Sequence, residues 1–211
     1  MNMQGKLIQS TCTDFCDALA AREPTPGGGG AASYVGALAA ALCSMVGNYT
    51  IGKKAYVGVE DEILKILEEV EASRVRLMEL VDEDAEAFLP LSRAYAIPKE
   101  NPERAKTMEE ATKSAVVAPL QMMREICVVV ALLEQMGKKG SRMLRSDVAC
   151  GALLARAALE AAAINVFVNT GAVTDRAFAK ATEEEVDDML AVYVPRAQAC
   201  ADAIVTSLRN R

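Results

Sequence analysis

Apolar residues follow a helical period along most of the chain, and the stretch from residue 59 to 96 shows it most clearly. Alanine is abundant, runs of β-branched residues are short, and glycine and proline are widely spaced. The pattern predicts an all-α fold, a single-domain bundle of about six long helices over residues 6–22, 30–51, 59–96, 102–137, 143–170 and 182–209.

Several of the predicted helix ends carry local signals. Asn101 followed by Pro102 is typical of a helix start, and Thr182 followed by three glutamates resembles a capping box. The chain contains no linker, repeat or low-complexity tail, so we predict one domain over residues 1–211. Three prolines fall inside predicted helices and should bend them: Pro90, Pro119 and Pro195.

One carboxylate interrupts the apolar face of the third predicted helix. Asp84 follows Val81 by three residues and precedes Phe88 by four, so it lies on the same stripe. A carboxylate on a buried stripe is costly unless it is paired or functional. Burial would raise its pKa, which suits a general acid or base, although a salt bridge to a neighbouring helix would explain the pattern equally well.

The fifth predicted helix carries polar residues at both ends of one small-residue face. Asp147 stands at one end of this face, and Asn165 and Asn169 stand at the other. Asparagine offers both donors and an acceptor, which complements a heterocycle with amide character. Hydrogen bonds between helices are the alternative explanation.

No charged residue occurs between Glu23 and Lys53, and four glycines, Gly27, Gly28, Gly29 and Gly30, open the stretch. Its length would suffice for a membrane span, but its Ala, Gly and Ser content favours a core helix. A P-loop is disfavoured because a lysine replaces the required hydroxyl residue and no strand precedes the loop. We therefore predict a glycine loop that either makes a tight turn or presents backbone N–H groups to a ligand.

Composition narrows the chemistry further. The chain has no histidine, which excludes imidazole-based catalysis, and its net charge of -6 argues against a nucleic-acid partner. Six cysteines without a CxxC pair indicate free, mostly buried thiols and no metal site. The first residues lack the features of a targeting signal, so we expect a cytoplasmic protein.

Several segments together resemble the formimidoyltetrahydrofolate cyclodeaminase family, which includes stand-alone methenyltetrahydrofolate cyclohydrolases. They are PTPGGGGAA with the following GKKAY, DEDAEAF followed by IPK and APL, and SDVACGALLARAALEAAAINVFVN. The matches cover nearly the whole chain in the correct order. Gly30 departs from the pattern, since a small serine-like residue is expected there as often as glycine.

The resemblance implies a homodimeric all-α enzyme that acts on a tetrahydrofolate substrate, with no permanently bound cofactor and no membrane partner. The first reaction to consider is cyclodeamination of 5-formimidoyltetrahydrofolate, and the alternative is hydrolysis of 5,10-methenyltetrahydrofolate. A helical interaction scaffold without chemistry is the non-enzymatic alternative.

The resemblance also suggests roles for individual residues. Asp84 or Asp147 would serve as the acid or base, with Lys53 assisting. The residues expected to bind the substrate are Gly27, Gly28, Gly29, Gly30, Lys54, Tyr56, Lys99, Asn165 and Asn169. We further expect Asp84 and Asp147 to share one pocket beside the glycine loop.

Overall fold

A computed structural model describes residues 6–210, which fold into α-helices and short 3-10 turns with no β-strand in that range. The six α-helices are α1 (Cys12–Ala20), α2 (Gly28–Asn48), α3 (Glu60–Tyr95), α4 (Arg104–Lys139), α5 (Arg145–Ala172) and α6 (Arg176–Arg209). The 3-10 turns are Leu7–Gln9, Lys54–Val59 and Arg142–Leu144. The predicted all-α architecture is therefore confirmed.

Two predicted helix starts are wrong, and side-chain caps explain both differences. Helix α1 begins after Thr11, whose hydroxyl accepts a hydrogen bond from the Asp14 amide. Helix α6 begins after Asp175, whose carboxylate accepts from the Phe178 amide. Thr182 lies inside α6 instead of capping it, because the earlier cap at Asp175 extends the helix by almost two turns.

Helices α2 to α6 alternate in direction and form two layers. Helices α2 and α5 pack side by side, and together they cover α3, α4 and α6, with α4 in the centre of the second layer. The Ser33 hydroxyl of α2 donates to the Leu77 carbonyl of α3 at 2.6 Å and joins the layers across the buried interior. This arrangement places the start of α2 and the end of α5 at one end of the bundle.

Small residues on α2 and α5 allow these helices to approach the layer beneath them closely. A methyl group on Gly36 would lie 3.0 Å from the Ile126 side chain, and one on Gly151 would lie 2.9 Å from Leu133. The apolar residues that fill the interior come mainly from α3 and α4, among them Ile63, Leu77, Met122, Met123, Ile126 and Leu133. The Ala-rich and Gly-rich composition of α2 and α5 thus lets these two helices pack close to the layer that contains α4.

Three stretches are long and apolar enough, by length and composition, to cross a membrane: Gly28–Asn48, Arg104–Lys139 and Arg142–Ala172. In this fold, 56%, 61% and 44% of their most apolar windows are buried inside the protein. More than half of the α2 window is therefore used in the core, as the core-helix interpretation predicts. Pro90, Pro119 and Pro195 lie inside α3, α4 and α6, and the bends expected of them stay a prediction.

The six cysteines are free, as predicted, but they are not mostly buried. Cys43 and Cys127 are buried, Cys200 is half-buried, and the other three are exposed: Cys12, Cys16 and Cys150. Exposed sulfur on α1 is possible because this short helix lies on the outside of the bundle.

Two glycines of α5 provide a matched test of the close packing. Gly151→Ala should lower the free energy of unfolding by about 1–3 kcal/mol, since the added methyl meets Leu133 and the Ala39 carbonyl. Gly171→Ala adds a methyl with no described atom within 4 Å, so it should be neutral or stabilise by up to about 1 kcal/mol. Urea unfolding of both variants checks this, and equal midpoints would contradict the packing described.

Candidate active site

A cavity of about 200 Å³ opens where the first turn of α2 meets α3, α4 and α5. Its walls are Pro24, Thr25, Gly27, Gly28, Gly29, Asp84, Phe88, Ala115, Asn165, Val168 and Asn169. We call this region of the bundle, with the start of α2 and the end of α5, the glycine end. The glycine loop, the stripe carboxylate and the two asparagines singled out in the sequence therefore meet in one cavity.

Asp84 is the ionisable group of this cavity whose pKa is displaced. Burial raises the pKa of Asp84 to about 6, because desolvation disfavours the charged carboxylate. Interaction with the backbone amide of Gly30, at the start of α2, lowers the pKa and partly offsets this effect. The result is a carboxylate that can gain and lose a proton near neutral pH.

Gly29 makes room for this carboxylate. A methyl group at Gly29 would lie 2.5 Å from Asp84 Oδ1 and 2.6 Å from Oδ2, closer than any side chain can approach. The position at Gly30 is different, since a methyl there would make ordinary contacts at 3.7 Å with Pro26 and Val81. Within the glycine loop, the Asp84 position therefore depends on the absence of a side chain at residue 29 in particular.

The two asparagines use their amide nitrogens to bind backbone. Asn165 Nδ2 donates to the Ala161 carbonyl at 2.8 Å, and Asn169 Nδ2 donates to the Ala115 carbonyl at 2.9 Å. Neither Oδ1 atom receives a hydrogen bond from a residue in the described range. The cavity therefore presents two amide acceptors beside the Asp84 carboxylate.

The apolar wall includes residues that sequence reasoning did not select for the site. Phe88 follows Asp84 by one helical turn and lines the same cavity, so its i+4 spacing from Asp84 was the available signal. Val168 and Ala115 face the cavity from α5 and α4, and Pro24 and Thr25 close it from the N-terminal segment. Four of these residues lie in the segments that carry the family resemblance, which was a second signal for them, and Ala115 has no such signal.

Four other predicted site residues lie at the opposite end of the bundle. Lys53, Lys54 and Tyr56 follow the end of α2, about 30 Å along the helix from its glycine start. Asp147 lies in the first turn of α5, about 27 Å along that helix from Asn165. Within one chain, the structure does not bring Asp147 or these lysines to Asp84, so the expected pairing of two carboxylates in one pocket is not found there.

Lys99 lies in the turn that joins the end of α3 to the start of α4. It does not line the cavity. Each predicted residue thus belongs to one of three places, and only the set around Asp84 forms a cavity with the glycine loop.

Known proteins resemble this chain in sequence and in fold. A family model described as formiminotransferase-cyclodeaminase matches residues 11–188. A methenyltetrahydrofolate cyclohydrolase of Methylorubrum extorquens is 43% identical over 185 residues, covering 86% of this chain and 89% of that protein. The chain belongs to the formiminotransferase-cyclodeaminase family. The resemblance read from the sequence is confirmed.

Other members of the family differ in length. Formimidoyltransferase-cyclodeaminase of Mus musculus is 30% identical over 188 residues, and this chain spans only 35% of that protein. A crystal structure of formiminotetrahydrofolate cyclodeaminase from Thermotoga maritima superposes with a TM-score of 0.84 at 33% identity, covering 96% of this chain and 97% of that one. The family fold therefore extends over almost all of this chain.

Adjacent glycines of α2 test the origin of the Asp84 geometry. Gly29→Ala should lower kcat/KM about 100-fold, because the new methyl displaces the carboxylate from the cavity. Gly30→Ala has the same effect on helix propensity but only ordinary contacts, so its kcat/KM should stay within about threefold of the parent. Steady-state kinetics on both variants provides the measurement, and equal losses would show that the residue 29 contact is not the cause.

Proposed function

We propose that this family member is a methenyltetrahydrofolate cyclohydrolase with Asp84 as its general base. The observation that carries the proposal is a half-buried carboxylate with a pKa of about 6, held in a cavity beside the start of α2. The 43% identity to a protein named methenyltetrahydrofolate cyclohydrolase, over most of both chains, supports hydrolysis as the first choice. Enzymatic rather than scaffolding function follows from the names of the family members.

The proposed reaction needs one base and no change in oxidation state. Asp84 takes a proton from water as the water oxygen bonds to the methenyl carbon. The bond from this carbon to N5 then breaks, N5 receives the hydroxyl proton, and a formyl group remains on N10. Asp84 returns its proton to solvent, so the sum is one water consumed and one proton released. Because the carbon stays at the same oxidation level, the proposed reaction needs no redox cofactor. The tetrahydrofolate derivative takes part as the substrate.

The two asparagines would orient the ring. Their carbonyl oxygens, which accept no hydrogen bond from residues 6–210, suit the N–H groups along the edge of a reduced pterin, and Phe88 supplies an apolar wall. The cavity is smaller than the roughly 300 Å³ at which pockets for whole drug-sized ligands begin, so it would hold the ring end of the folate. The rest of the substrate must extend outside it.

Cyclodeamination is the second candidate, because the matching Thermotoga maritima structure bears that name. In this reaction N10 attacks the formimidoyl carbon, N10 loses a proton, and ammonia leaves as 5,10-methenyltetrahydrofolate forms. Asp84 would accept the N10 proton and pass it to the nitrogen of the protonated formimidoyl group, which then carries three protons and leaves as ammonia. The same cavity therefore serves both routes, and the substrate decides between them.

Asp84→Asn tests the base role, and absorbance of the methenyl compound follows both reactions. We expect the parent to consume 5,10-methenyltetrahydrofolate with a rate that rises with pH through about 6, since Asp84 must be deprotonated. The variant should lose roughly 100- to 10,000-fold in kcat and lose this pH dependence. Release of ammonia from 5-formimidoyltetrahydrofolate measures the second route.

Glu83→Gln is the matched control for this experiment. Glu83 is the adjacent carboxylate of α3, but it pairs with Arg76 outside the cavity, so kcat should change less than about twofold. Equal rates for Asp84→Asn and the parent would reject Asp84 as the base. A folded parent that turns over neither substrate would reject the proposed function itself.

We further propose that the enzyme is a homodimer formed through the outer face of α2 and α5. Helix α2 contains no charged residue. Large apolar side chains on the two helices are exposed, with Leu38 at 41%, Leu153 at 44% and Ile164 at 61%. Exposed apolar side chains on two neighbouring helices are typical of an association surface, and a second copy would cover them with a like surface.

This dimer would bring together the residues that one chain keeps apart. Helices α2 and α5 run between the two ends of the bundle. A two-fold axis perpendicular to them lays the glycine end of one copy against Lys53 and Asp147 of the other. Such a site would supply the cations that the folate carboxylates need in an acidic protein.

Charge placed on the proposed interface should separate the copies. Leu38→Glu combined with Leu153→Glu should convert the dimer to monomer, measured by light scattering after gel filtration, and should reduce turnover. Val192→Glu places the same charge at a 48% exposed residue of α6, away from this face, and should leave the dimer intact. A parent that is monomeric, or a monomeric variant with full turnover, would contradict the shared site.

A further inference from the structure

Two of the exposed cysteines lie one helical turn apart on α1. Cys12 is the first residue of this helix and Cys16 is the fifth, so both side chains lie on one face. The chain has no second pair of cysteines at this spacing. The prediction of no metal site assumed mostly buried thiols, and neither of these two is buried.

A third polar group, the Tyr34 hydroxyl of α2, lies beside this pair. Cys12 Sγ and Tyr34 Oη are 3.5 Å apart, within hydrogen-bonding distance for sulfur. This hydrogen bond, followed by burial and by the charges of Cys12 and Cys16, raises the pKa of Tyr34. Cys16 is therefore close enough to the hydroxyl to act on it through its charge. We call Cys12, Cys16 and Tyr34 the thiol cluster.

Packing beneath α1 fixes the direction of the two sulfur atoms. Phe15, which lies between the cysteines in sequence, is buried against Val81 of α3, and its ring centroid is 5.3 Å from that of Tyr34. The Thr11 cap begins the helix directly before Cys12. Because both the buried face and the start of α1 are fixed, the two thiols are held side by side without a ligand. Such preorganisation lowers the entropic cost of binding.

The helical spacing favours an ion between the two sulfurs over a disulfide. Residues four apart on a helix have Cβ atoms about 5–6 Å apart, whereas a disulfide needs Cβ atoms about 3.5–4.5 Å apart. A linear sulfur–metal–sulfur unit with bonds of about 2.3 Å separates its sulfur atoms by about 4.6 Å. Two cysteine side chains on one face of α1 reach this separation without unwinding the helix.

The number of available ligands narrows the kind of ion. Within residues 6–210, no group of three or more cysteine or carboxylate side chains is placed to hold a metal ion. Zinc takes four ligands in structural sites, so two thiols do not suit it. Thiolates select soft ions such as Cu(I), for which two sulfur ligands in a line are sufficient.

We propose that the thiol cluster binds a soft monovalent metal ion, of the Cu(I) class, between the sulfurs of Cys12 and Cys16. Each thiol gives up its proton as its sulfur bonds to the ion, so one ion replaces two protons and no oxidation state changes. The Tyr34 hydroxyl then donates a hydrogen bond to the Cys12 sulfur and stabilises its charge. The site lies outside the Asp84 cavity and does not rest on the proposed function.

Anaerobic titration of the reduced protein with Cu(I), in competition with a coloured Cu(I) chelator, tests the proposal. We expect one tightly bound ion per chain, with two sulfur neighbours in its X-ray absorption spectrum. Cys12→Ser and Cys16→Ser should each raise the Kd at least about 100-fold, because a single thiolate remains. Cys150→Ser removes the lone exposed thiol of α5 and should leave the Kd unchanged.

A shifted pair separates the effect of the spacing from the mere presence of two thiols. Cys16→Ser combined with Asp17→Cys keeps two exposed thiols on α1 but turns the second one about 100° around the helix. This double variant should bind Cu(I) as weakly as Cys16→Ser alone. Asp17→Ser, which removes only the carboxylate, should bind like the parent.

The proposal is overturned if the parent takes no Cu(I) from the chelator, or if the shifted pair binds as tightly as the parent. Three or more sulfur neighbours would also overturn it, because the ion would then bridge other cysteines or separate molecules. All the substituted side chains are exposed, and circular dichroism checks that each variant keeps the helix content of the parent. No arm measures folate turnover, so a failure of the proposed function is distinguishable from a failure of the thiol cluster.

Discussion

The contact between Asp84 and the first turn of α2 is the constraint on which the site depends. The carboxylate occupies the space that a side chain on Gly29 would fill. Burial there raises its pKa, and the Gly30 amide limits the rise, so the pKa settles at about 6. A side chain at residue 29 would push the carboxylate away and remove both effects.

The direction of the helices gives the bundle two chemically distinct ends. At the glycine end, a single carboxylate and two amide oxygens face a small cavity. At the other end, cationic side chains from α4 and α5 surround a larger one. Because α2 and α5 run between these ends, the two polar sites of each chain lie a helix length apart.

The asparagines show how packing selects one function of a versatile side chain. An amide can donate or accept, but Asn165 and Asn169 donate to backbone carbonyls and keep an oxygen for the cavity. One of these carbonyls belongs to α5 itself, and the other belongs to α4. One hydrogen bond within α5 and one between α5 and α4 therefore leave both amides as acceptors, which defines the kind of ligand edge that fits beside Asp84.

The sequence by itself determined the helices, the glycine loop and the unusual position of Asp84, since local period and composition are properties of neighbouring residues. The absence of histidine also directed the proton chemistry to a carboxylate. Only the tertiary structure decided that Asp84, Asn165 and Asn169 share a cavity, while Lys53 and Asp147 lie at the far end. It also added Phe88 to the site. The reason is physical: which residues meet depends on helix lengths, directions and side-chain packing between segments far apart in the chain, and no local pattern encodes these.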